Sequence, residues 1–131
     1  MAELPDAESL AASIAAGLSR EYAGDREMFL ALLVESLRPA LGERLRLERG
    51  GWLRHDGPIR RIELDLDALR FALQVGKAGA LSATRCRVVR GIALKTEELT
   101  VETWLQEVAQ AVAEYARTHH EALEALKRRV W

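Results

Sequence analysis

Apolar residues follow a helical period towards both ends of the chain and an alternating one between them. After Asp6, which can cap a helix through its side-chain oxygen, Leu10, Ile14 and Leu18 recur every four residues, predicting a helix to about Tyr22. Ala7, Ala11, Ala12, Ala15 and Ala16 lie between them and would let a neighbouring helix approach closely. Ala23-Gly24-Asp25 reads as one helix stop followed by a new cap. Met28, Phe29, Leu32, Leu33 and Leu37 then give a second helix an apolar face wide enough to lie deep in a core. Pro39 is expected to disrupt that helix and Gly42 to end it.

Past Gly42 the period becomes two. Leu45 and Leu47 alternate with Arg44, Arg46 and Glu48; Ile62, Leu64 and Leu66 with Arg61, Glu63, Asp65 and Asp67; Leu69, Phe71, Leu73 and Val75 with Arg70, Ala72 and Gln74. Each run predicts a strand with one buried face. Gly76-Lys77-Ala78-Gly79 reads as a turn, and a fourth strand is expected from about Ala80 to Arg90, with Gly91 a bulge or break before Ile92 and Leu94.

A tight turn at Asp67-Ala68 would set Leu66 opposite Leu69, Leu64 opposite Phe71, Ile62 opposite Leu73 and Asp65 opposite Arg70. Placing Leu47 opposite Ile62 likewise sets Leu45 on Leu64, Glu48 on Arg61, Arg46 on Glu63 and Arg44 on Asp65. Both registers match apolar with apolar and charge with opposite charge.

Thr100 is a suitable N-cap for the last element, Leu99 and Trp104 can form a hydrophobic staple, and Glu102 suits the first turn. Leu105, Val108, Val112, Tyr115, His119, Ala122 and Leu126 continue with spacings of three and four, predicting one amphipathic helix to roughly Arg129. Such a helix would span about 45 Å, against about 23 Å for a seven-residue strand, so its last turns are expected to overhang the sheet. The fold expected is one α+β domain over 1–131: two N-terminal helices, a four-stranded antiparallel meander and one long C-terminal helix.

Composition narrows the setting. The 131 residues are 49% hydrophobic and 30% charged, which is globular rather than disordered. No apolar stretch reaches the roughly 18 to 20 residues of a membrane-spanning helix, and the acidic start Met1-Ala2-Glu3-Leu4-Pro5-Asp6 does not read as a signal peptide. A lone cysteine, Cys86, excludes an intrachain disulfide and a multi-cysteine zinc site. These features point to the cytoplasm.

The formal net charge of −1 hides a segregation. Two basic and seven acidic residues leave 1–37 at −5; thirteen and six leave 38–95 at +7; four and seven leave 96–131 at −3. The basic middle segment is expected to pair with the acidic flanks of its own chain. Nucleic acid is not the expected partner, because acids interrupt the arginines and the strand aromatic Phe71 falls on the apolar face, where it cannot stack a base.

Candidate chemistry reduces to simpler readings. Glu63, Asp65 and Asp67 form an exposed ladder facing arginines rather than a metal or acid/base site. Cys86 reads as a buried thiol with Thr84 and Val88 on its face. His120 and Glu124 share a helix face, but two ligands from one helix do not make a metal site. Gly76-Lys77 lacks the spacing of a phosphate loop. No catalytic set, metal or cofactor is expected.

Two features remain for partners. The 50–58 loop carries Trp52, Leu53, Arg54 and His55 and exceeds the usual two to five residues of a hairpin loop. The final helix continues its row of Tyr115, His119 and Leu126 to the apolar Val130 and Trp131. The expected function is therefore a non-catalytic protein-interaction module (adaptor, chaperone-like or regulatory) that pairs with itself as a homodimer through the final helix, or with another protein, without a membrane. The alternative is a carrier or sensor of a small apolar ligand held between sheet and helices, with Tyr115 and His119 as the polar groups that would orient it.

Overall fold

The computed structural model describes residues 26–50 and 57–119, together with residue 124. The first predicted helix, at 6–22, lies outside the described residues. The second is α1, Arg26–Leu41, whose Phe29, Leu30, Leu33, Val34 and Leu37 are buried. It runs through Pro39 rather than stopping there. Proline forfeits one ladder hydrogen bond and crowds the preceding turn, at a cost of about 3 kcal/mol in a helix interior. Here it sits in the last turn between the buried Leu37, Ala40 and Leu41, and burial of those side chains offsets the loss. Gly42 ends the helix, as expected, and a 3-10 turn from Gly42 to Arg44 leads into the sheet.

Among the described residues the sheet has five strands, one more than the alternation predicts: β1 (Leu45–Arg49), β2 (Ile59–Asp65), β3 (Leu69–Val75), β4 (Leu81–Val89) and β5 (Ile92–Leu99). They lie side by side in chain order, each antiparallel to the next. The missed strand begins at Ile92, just after Gly91. Of the bulge or break expected at Gly91, the chain makes a break: Arg90 and Gly91 form a two-residue hairpin turn with φ of 52° and 78°, the pair of positive values that a type I′ turn requires. The bulge lies elsewhere, where the β4–β5 register shifts between Cys86 and Val88.

The registers of the first three strands are those the side-chain matching requires. Leu45 faces Leu64, Leu47 faces Ile62, Arg46 faces Glu63 and Glu48 faces Arg61. Ile62 faces Leu73, Leu64 faces Phe71 and Asp65 faces Arg70. Arg44 is the exception. It belongs to the 3-10 turn, and its Nη1 donates to the backbone carbonyl of Asp65 at 3.2 Å and to Asp67 Oδ1 at 2.8 Å, so its carboxylate partner is Asp67. The Asp67-Ala68 turn forms although neither residue is glycine. Asp67 takes a φ of 66° and its N–H donates to Asp65 Oδ1 at 3.2 Å, a local bond of the kind that makes the left-handed region tolerable for aspartate.

α2, Val101–Thr118, follows β5 after one residue. Thr100 caps it, its Oγ1 accepting the Thr103 N–H at 3.1 Å. α2 packs over β3 and β4, and α1 over β1 and β2. Between helices and sheet lies one core in which Phe29, Leu33, Ile62, Leu64, Phe71, Trp104 and Ala116 are almost wholly excluded from solvent. Trp104 anchors it, with its ring edge-on to Phe71 at 6.1 Å and its Nε1 donating to the Thr84 carbonyl at 3.1 Å.

The last helix does not run unbroken to Arg129. It ends at Thr118, and His119 is extended at φ −130° and ψ 95°. The Thr118 hydroxyl and His119 Nδ1 both turn back to the Tyr115 carbonyl, at 3.0 and 2.8 Å, and stop the helical ladder there. The periodicity of Ala122 and Leu126 carried no sign of this local competition.

Candidate interaction surface

Among the described residues, β5 and the adjoining end of β4 are left exposed by the two helices. Val89, Ile92 and Leu94 are 46%, 66% and 50% exposed, three of the large apolar side chains left in solvent among the described residues. Val89 pairs directly with Ile92 across the turn. Thr96 pairs with Cys86, which faces Arg70, so Thr96 lies on the face away from the helices; the register shift between Cys86 and Val88 interrupts the alternation before Ala93, and Ile92 shares the face of its partner Val89. Seven of the eight β5 residues are exposed, the exception being Leu99. β5 is also the last strand of the sheet, and its outer backbone groups form an unpaired edge among the described residues.

One side chain joins this strand to the helix layer. Arg85 on β4 pairs with Glu97 of β5 at 2.5 Å and also with Glu107 of α2, tying the edge to the helix layer. The Glu97 hydrogen bond, opposed by burial and assisted by Glu107, raises Arg85 above the usual guanidinium range. A folded-state pKa raised in this way contributes stability that is fully present below the unfolded value and lost only in strong alkali, so this clamp is constant through the neutral range. Cys86 is buried, and its thiol donates to the Leu94 carbonyl at 3.2 Å across the bulge.

The other candidates fall in different places. Tyr115 is half-buried and His119 exposed, with their rings stacked at 3.9 Å. Arg44 sits over the Tyr115 ring, its guanidinium carbon 5.3 Å from the centroid. Because a carbonyl can only accept, His119 Nδ1 carries the proton in its bond to the Tyr115 backbone. The pair thus forms a rim beside the end of β2. It is not a polar group set inside the apolar layer. Trp52, Leu53, Arg54, His55, Leu126, Val130 and Trp131 lie outside the described residues. Val89, Ile92 and Leu94 were missed from sequence; the available signal was large aliphatics on both sides of Arg90-Gly91, Val88 and Val89 before it and Ile92 and Leu94 after it.

The carboxylate ladder is a set of ion pairs. Arg61 reaches Glu63 at 3.2 Å, and Arg70 reaches Glu63 at 3.7 Å and Asp65 at 4.0 Å. All of these side chains are about a quarter to a third exposed. Asp65→Ala should therefore change the unfolding free energy by less than about 1 kcal/mol, measured by urea titration. Among the described residues no group of three or more His, Cys, Asp or Glu is placed to hold a metal ion, and no helix is long and apolar enough to cross a membrane.

No protein-family model, curated protein or solved structure matches this chain.

Proposed function

We propose that the protein is a non-catalytic interaction module that acts as a homodimer joined through β5. The observation that carries this reading is the hairpin: large aliphatic side chains at 46–66% exposure beside an eight-residue edge strand. Edge strands can be extended by a further strand, and although charges often block this, those of β5, Lys95, Glu97 and Glu98, are of both signs and can be set opposite one another.

The sequence of β5 selects one self-pairing. A two-fold axis normal to the sheet keeps the helices of both copies on the same side, so each residue must face one of the same parity. With the axis at Thr96, Lys95 faces Glu97 of the second copy. An axis at Lys95 would oppose two lysines, and one at Glu97 two glutamates, both destabilising. Thr96 faces itself only in the favourable register.

A cysteine at that position reports the register directly. Thr96 also lies across from Cys86 in its own chain, so the native thiol must first be removed. In the Cys86→Ala, Thr96→Cys protein, mild oxidation should give a covalent dimer on a non-reducing gel. Directly opposed strand residues lie about 4.5–5.5 Å apart, inside the range a disulfide spans. Light scattering that shows only monomer at about 100 µM, with no cross-link on oxidation, would overturn the reading.

A further inference from the structure

On the β1 side of the sheet, away from β5, α1 and the ends of three strands enclose a cleft of about 530 Å³. Small-molecule sites fall mostly between about 300 and 1,000 Å³. Leu30 of α1, Ile59 of β2 and Val75 of β3 contribute its apolar lining, and Arg26, Arg49 and Arg60 its cationic lining, against one carboxylate, Glu27.

Among the described residues the cleft arginines lack the carboxylate partners that four others near the sheet have. Arg44, Arg61, Arg70 and Arg85 are each engaged by carboxylates. In the cleft, Arg26 Nη1 donates to the Gly79 carbonyl and Arg49 Nη1 to the Gly57 carbonyl at 3.0 Å. Neither forms an ion pair among the described residues, and neither does Arg60. A guanidinium has five N–H donors, so one bond to a carbonyl orients the group while leaving most of its donors and all of its charge for a ligand. The wall is also built closely. The Gly50 N–H donates to the Pro58 carbonyl at 2.7 Å, and a Cβ on Gly50 would come within 2.5 Å of Arg60 Nε.

From this geometry we infer a binding site for a small acidic amphiphile: an oxyanion head, phosphate or carboxylate, on a short apolar body. The head is taken by the fork-shaped donors of Arg49 and Arg60 with Arg26 beside them, and the body lies on Leu30, Ile59 and Val75. Arginine suits planar or tetrahedral oxyanions because two parallel N–H bonds reach two oxygens at once. The cleft volume admits a head and a chain of a few carbons, which selects a free small molecule over a bilayer lipid. This site is independent of the β5 dimer.

The full chain would be titrated with n-hexyl phosphate, hexanoate, inorganic phosphate and 1-hexanol in phosphate-free, low-salt buffer, followed by calorimetry and by amide NMR. Hexyl phosphate, hexanoate or both should saturate the protein at sub-millimolar concentration, about tenfold tighter than phosphate or hexanol alone. Amide shifts should centre on α1 and the start of β2. The R49Q/R60Q double variant should weaken binding at least about tenfold, R60K severalfold through loss of the fork, and R38Q, outside the cleft, not at all. Arg49 and Arg60 are exposed, so circular dichroism should show both variants folded. The inference fails if neither amphiphile binds tighter than phosphate, or if R49Q/R60Q binds as the parent does.

Discussion

Trp104→Ala should lower the unfolding free energy by about 3–5 kcal/mol, the usual cost of removing a fully buried large aromatic. Trp104 is 0% exposed and joins α2 to β3 through Phe71 and to β4 through the Thr84 carbonyl. The alanine variant loses the ring contacts, opens a cavity and leaves that carbonyl without its donor. Trp104→Phe separates these contributions: it keeps most of the packing and should cost about 1–3 kcal/mol, chiefly through the unsatisfied acceptor. Both are read from urea titrations followed by far-ultraviolet circular dichroism, with an unchanged slope marking an effect on stability rather than on the unfolded state. An alanine variant within about 1 kcal/mol of the parent would mean that α2 is not anchored through this ring.

Gly57→Ala should cost about 1–3 kcal/mol, the range typical of forcing a group into filled space. A Cβ at Gly57 would fall inside the van der Waals shell of the Gly50 carbonyl oxygen. Backbone cannot swing aside as a long side chain can. The strand ends therefore have to separate, breaking the Gly50–Pro58 hydrogen bond and moving Arg49 and Arg60 relative to each other. Stability and hexyl phosphate affinity should fall together in this variant, whereas R49Q/R60Q should reduce affinity alone. A Gly57→Ala protein with the parent's urea midpoint would show that the close approach of the two strand ends is unnecessary.

The sheet was legible in sequence where side chains alternate cleanly, and hidden where they do not. β2 and β3 carry uninterrupted alternation and opposite charges at opposed positions, and their register follows from the side chains alone. That of β5 does not. Its Ile92, Leu94 and Leu99 are interrupted by Lys95, Glu97 and Glu98, because an edge strand that leaves the helix layer has no buried face to impose a pattern. The turn before it was equally obscure. Asparagine or aspartate with glycine is the familiar signature, and here arginine occupies the first left-handed position. α2 was legible to Tyr115, where core contacts enforce the helical period. At His119 side-chain hydrogen bonds to one carbonyl replace packing as the deciding influence, and residue spacing holds no record of them. The arginine cleft was invisible for a different reason: Arg26, Arg49 and Arg60 are dispersed in sequence, and only the docking of α1 against three strand ends brings them together.

The chain-order arrangement of the strands has a kinetic meaning. Every strand pairs with the one synthesised just before it, so the sheet can zip up hairpin by hairpin with short loop closures, which favours rapid folding. The lid over β3 and β4 comes late, since Trp104 lies more than thirty residues beyond Phe71 in the sequence. At translation rates of about 5–20 residues per second, the apolar face of Phe71, Leu73 and Ala83 stays uncovered on the nascent chain for a few seconds before α2 can settle on it. During that interval the growing polypeptide presents a sticky sheet. The opposite face, with its arginine–carboxylate ladder, stays hydrated throughout and limits aggregation to one side.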